Sequence, residues 1–101
     1  MPQLPKHFTD FVDTYPEVGK AYKDLGRAAE AAGSLDKKTQ RLIKVGISIA
    51  AGLEGGTHSN ARKALEEGAT AEDLRHTAIL AVTTIGFPGM MKGLAWIEDV
   101  L

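Results

Sequence analysis

With 101 residues the chain has room for one domain, near the length at which a single copy buries only a modest core. Its 12 basic and 13 acidic residues leave a net charge of −1 with no basic run, which argues against nucleic acid or an anionic membrane as a partner. No cysteine is present, so disulfides, thiolate metal sites and a cysteine nucleophile are excluded. The opening MPQLPKHFTD lacks the apolar stretch of a signal peptide, and no apolar run reaches the roughly 18 to 20 residues of a membrane span, so the expected location is cytoplasmic.

Helical periodicity accounts for nearly the whole chain, and the expected fold is all-α, a small bundle of about six helices. A first short helix over Phe8–Asp13 stops ahead of Pro16, because proline disfavours helical geometry in the residue before it. Thr14 with Glu17 three residues later, and Pro16 in the first turn, open a second helix that runs to about Ala32 and is closed by Gly33. A third starts near Asp36 and carries Leu42, Ile43, Val45, Ile47, Ile49 and Leu53. The fourth is expected over about Thr57–Glu67, with Gly68 as its left-handed closing residue, and Thr70 with Asp73 caps a fifth over Ala71–Ile85. The last follows Pro88 through Met90, Met91, Leu94, Trp96 and Ile97.

The middles of the third and fifth helices, Val45–Leu53 and Thr77–Phe87, are apolar around most of their circumference. A surface helix of a small single copy shows one stripe of about 100° or a little more. Both helices therefore call for neighbours on several sides, and homo-oligomerisation is expected, with Gly46, Ala50, Ala51 and Gly52 allowing close approach.

Glu54, His58 and Asn60 form the densest group of potentially reactive side chains, at the break between an apolar helix and an amphipathic one. Glu54 and His58 are four apart, so on a helix they share a side and the carboxylate can orient the imidazole for proton transfer. Gly55 and Gly56 between them disfavour a continuous helix, and the plainer alternative has Thr57 as a cap with His58 and Asn60 satisfying backbone groups. A metal site of Glu54, His58 and His76 matches no recognised spacing; no metal and no cofactor is expected.

The segments LDKKTQRLIKVGISIA at Leu35–Ala50, ARKALEEGATAEDLRHTAILA at Ala61–Ala81 and GFPG at Gly86–Gly89 resemble the carboxymuconolactone decarboxylase family, which includes the alkyl hydroperoxidase D-like proteins. The chain is read as a single domain of that type over residues 1–101, with the family core at about 35–96. The resemblance implies a small all-helical subunit that assembles as a trimer or hexamer.

In the peroxidase branch a Cys-x-x-Cys pair is followed by a histidine and supported by an earlier glutamate. Counted back from Gly68, those positions fall on Leu53, Gly56, Asn60 and Arg41, and all four are replaced. Without a thiolate the peroxidase route is closed to this chain's own residues. The decarboxylase branch is similar in this region, with an acidic residue near Glu54 and a histidine at the Asn60 position. This chain keeps Glu54 but not that histidine. His58, two residues earlier, is expected to reach the same pocket and form an acid–base pair with Glu54 acting on a small carboxylated or lactone substrate, with Asn60 in the pocket and Arg41 binding the carboxylate. The competing expectation is a non-catalytic oligomeric binding or scaffold protein that keeps the family fold.

Overall fold

Six α-helices, with no strand among the described residues, make up the computed structural model, which describes residues 5–101: α1 Lys6–Thr14, α2 Pro16–Ala31, α3 Lys37–Ala50, α4 Glu54–Glu66, α5 Ala71–Leu80 and α6 Val82–Glu98. The all-α expectation holds. By its internal contacts the chain divides into two units, one ending at Leu35 and the other spanning Asp36–Leu101.

In the first unit α1 and α2 form a helical hairpin. The turn between them is tight because α1 runs on to Thr14, and the N–H of Tyr15 still bonds to the carbonyl of Phe11 (2.8 Å) before Pro16 starts the next helix. The expected Thr14–Glu17 cap does not form: Thr14 is the last residue of α1, Tyr15 is the N-cap of α2, and no side chain bonds there. Gly33 does not take a positive φ. The helices meet where Val12 packs on Gly19, whose missing Cβ would lie 3.0 Å from both Val12 methyls. Gly19 is the only residue of either helix that is buried.

The second unit has a closed core. Val45 and Ile49 of α3, Ala61 and Ala64 of α4, Leu74 and Ala78 of α5 and Ile97 of α6 are completely buried. Each large side chain among them contributes roughly 1.5–3 kcal/mol by leaving water. α3 touches α4, α5 and α6, and so forms the centre of this unit. It begins near Asp36 as expected, and the structure adds a cap there, the Asp36 carboxylate accepting the Thr39 N–H (2.8 Å).

Two glycines end helices in the same way. After α3, Gly52 takes φ 74°, its N–H bonds to Ile49 and the Leu53 N–H reaches back to the Ser48 carbonyl. After α4, Gly68 takes φ 94°, with bonds from Gly68 to Leu65 and from Ala69 to Ala64. The GAT turn was legible in the sequence; Gly52, expected to lie within a helix, instead terminates one. Thr70 and Asp73 then form the expected reciprocal cap on α5.

Two further boundaries differ from expectation. α4 starts at Glu54, not Thr57, and contains both glycines. Packing accompanies this: a Cβ on Gly56 would lie 3.2 Å from Ser48 Oγ of α3 and 3.3 Å from Leu53 Cβ, tighter than an ordinary contact, so glycine eases the close approach of the first turn of α4 to α3. α5 ends at Leu80, and a further turn over Val82–Ile85 precedes Gly86, whose φ 86° and ψ 170° belong to a region open essentially to glycine. Pro88 sits in the first turn after that break, where its missing N–H costs nothing.

Candidate functional site

The start of α4 carries most of the residues on which chemistry was expected. Glu54 is its first residue, exposed, at the end of the helix that favours negative charge. His58 lies one turn on, so the two share a side as their spacing requires. The carboxylate bonded to the imidazole is nevertheless Asp99: His58 Nε2 and Asp99 Oδ2 are 3.0 Å apart, with the ring one-fifth exposed and the carboxylate 57 % exposed. Asp99 is the C-cap of α6, where a negative charge opposes the helix dipole. The pair ties α4 to the end of α6.

Asn60 turns inward. Its amide donates to the Gly56 carbonyl (3.0 Å) and, at 3.4 Å, to the hydroxyl of Ser48, which is buried on α3. Thr57 is not a cap; it lies inside α4, fully buried, and its hydroxyl donates to the Leu53 carbonyl (2.8 Å). Leu53, Gly56 and Asn60, three of the four positions that the resemblance assigned to redox chemistry, thus meet around Ser48 in a hydrogen-bonded knot. Arg41, the fourth, is half-buried on α3, two turns before Ser48 and about 10 Å from it along the axis.

His76 stands exposed on α5, and no group of three or more His, Asp or Glu that could hold a metal ion occurs among the described residues. Two residues on which the local geometry depends were not singled out from the sequence. Ser48 carried a signal, as a polar residue inside the apolar run VGISIAAGL. Asp99 carried none, since an acid near a chain end is ordinary.

Charges elsewhere in this unit hold structure together. The Thr39 N–H holds the Asp36 carboxyl below the usual carboxylate range, and the Thr70 N–H does the same for Asp73. Arg75 and Glu98 join α5 to α6 through two bonds of 2.6 and 3.2 Å, which lower the Glu98 pKa and raise that of Arg75.

A cleft of about 410 Å³ lies between α3 and the α5–α6 elbow, lined by apolar side chains such as Leu42, Ile43, Leu80 and Ile85 together with Thr39, Thr77 and Thr84. Glu54, His58, Asn60 and Arg41 do not line it, and it contains no charged residue. No described helix is long and apolar enough to cross a membrane.

Comparison with known proteins agrees with this architecture. The model of the carboxymuconolactone decarboxylase family matches residues 16–99. An uncharacterised protein of Methanocaldococcus jannaschii is 27 % identical over 85 residues, which cover 84 % of this chain and 79 % of that protein. The crystal structure of an apo carboxymuconolactone decarboxylase family protein from Legionella pneumophila superposes with a TM-score of 0.79 at 29 % identity, covering 93 % of this chain and 87 % of that one.

Proposed function

The chain belongs to the carboxymuconolactone decarboxylase family, and from that premise we propose that it is a homo-oligomeric binding or scaffold member in which thiol redox chemistry has been replaced by structure. The observation that carries this reading is the knot around Ser48: the Asn60 amide is spent on Ser48 and on the Gly56 carbonyl, where the peroxidase branch places reactive groups. A peroxidase label for this chain rests on family inheritance, because it has no cysteine to form the thiolate.

Self-association is supported by the outer faces of α3 and α5. Ile47 is 61 % and Leu80 62 % exposed beside the apolar cleft, and a single copy leaves such surface open only at a cost. Subunits meet across this face, as trimers or hexamers. Sedimentation or light scattering of the full chain tests it: Ile47→Glu, on an exposed position, lowers the mass of the assembly while the helical circular dichroism stays. An unchanged mass refutes this contact.

A second reading is favoured by the His58–Asp99 pair. A carboxylate that orients an imidazole is the arrangement of general acid–base catalysis, and His58 keeps part of its ring open to solvent. Here His58 moves the proton, with Glu54 beside it on α4, and Arg41 and Asn60 hold a small carboxylated or lactone substrate. Screening such compounds tests the reading: His58→Ala lowers any turnover found by roughly 100-fold or more. Turnover that survives the substitution eliminates the acid–base role.

A further inference from the structure

On α2, Tyr15, Val18, Tyr22, Leu25 and Ala29 follow one another at alternating steps of three and four, the spacing of a seam between two helices. The positions that flank the seam are Gly19, Gly26, Ala21 and Ala28, none charged. The charges of α2 all lie on its outer side, where Asp24 binds both Lys20 (2.6 Å) and Arg27 (2.7 Å).

α1 covers only one edge of the seam. Val12 sits on Gly19, and Phe8 meets Tyr22 edge-on with ring centroids 6.0 Å apart. The rest is open: Val18 is 55 %, Tyr22 63 % and Leu25 68 % exposed, a Cβ on Gly26 would meet nothing within 4 Å, and Ala21, Ala28 and Ala29 are exposed.

We propose that this face joins two copies of the chain, α2 against α2 in antiparallel, about a twofold axis that passes beside Ala21 and Tyr22. Charge argues for a second copy. Partners of other sequence are selected by charges flanking such a seam, whereas this one has only glycine and alanine there, which match themselves and let two helices approach closely. Size sets the direction. The seam is bulky at its start (Tyr15, Val18, Tyr22) and small at its end (Ala28, Ala29), so antiparallel pairing lays Tyr15 over Ala29 and Val18 over Leu25, filling space that parallel pairing would leave empty. Area agrees. The four exposed large side chains leave roughly 400 Å² of apolar surface per copy. Two copies, with the alanines and Phe11 added, approach the roughly 1,200 Å² of the smaller specific interfaces.

The inference rests on the self-association proposed above but not on the α3–α5 face. Because the chain has no cysteine of its own, single cysteines read the contact directly. In the full-length protein, mild oxidation cross-links Ala21→Cys into dimers several-fold more completely than Lys23→Cys on the outer side, and Ala29→Cys cross-links poorly because its antiparallel counterpart is residue 15. Leu25→Lys halves the mass of the assembly and keeps its helical circular dichroism. Equal cross-linking at 21 and 23, or an assembly indifferent to Leu25→Lys, overturns the proposal. Cross-linking at 29 as strong as at 21 overturns its antiparallel form. If Ile47→Glu alone lowers the mass, the oligomeric reading stands and this contact falls. A wild-type protein that runs as a single chain ends both.

Discussion

The α1–α2 hairpin and the four-helix unit after it are built from similar helices, yet they settle their apolar residues in opposite ways. In the hairpin one glycine is buried, and Tyr15, Val18, Tyr22 and Leu25 are more than half exposed. In the second unit, side chains from all four helices close over Val45 and Ile49. An amphipathic stripe thus does not say what it will face. With three neighbours α3 gains a core, whereas α2, with α1 along one edge, keeps a surface.

Substitutions at equivalent kinds of position sharpen the contrast. The largest effect is expected at Gly93 on α6, where a Cβ would stand 2.8 Å from two carbons of the fully buried Ile49. Gly93→Ala overpacks this core and costs about 1–3 kcal/mol in denaturant unfolding. Thr70→Ala, which removes half of the reciprocal cap on α5, costs about 1 kcal/mol by the same measurement. On α2 the sign reverses within a single chain, where Gly26→Ala meets nothing and favours the helix by about 0.5–1 kcal/mol. A destabilised Gly26→Ala would mean that something packs closely on this flank, either α1 or a second copy.

The smallest effect is a pH dependence in the second unit. Asp36 and Asp73 have folded pKa values below their unfolded value near 3.8, so the stability they add is fully present above that value and is lost as pH falls through the lowered folded values. Thermal unfolding followed from pH 5 down to pH 2 therefore shows a loss below about pH 4 that Asp73→Asn reduces. An equal loss in the variant would place the acid sensitivity elsewhere.

Much of the site region was legible at the level of residue identity and little at the level of partners. Glu54, His58 and Asn60 do lie on one helix start, and Leu53, Gly56 and Asn60 do converge. The sequence offered Glu54 as the partner of His58 because four-residue spacing is visible along a chain. Asp99, 41 residues away, becomes a neighbour only when α6 packs against α4. Asn60 has the same history, since its bond to Ser48 spans two helices.

By itself the sequence determined what depends on neighbours along the chain. That includes the all-α class, the Asp36 and Thr70 caps, the Gly68 turn and the absence of thiol chemistry, because caps, turns and composition are settled within a few residues. Only the tertiary structure decided where α4 begins, that Gly52 ends α3 and that His58 meets Asp99. Helix propensity at Gly55–Gly56 is worth about 1 kcal/mol per residue against helix, yet α4 begins there with Gly56 against Ser48 of α3, and a contact between helices is not visible along the chain.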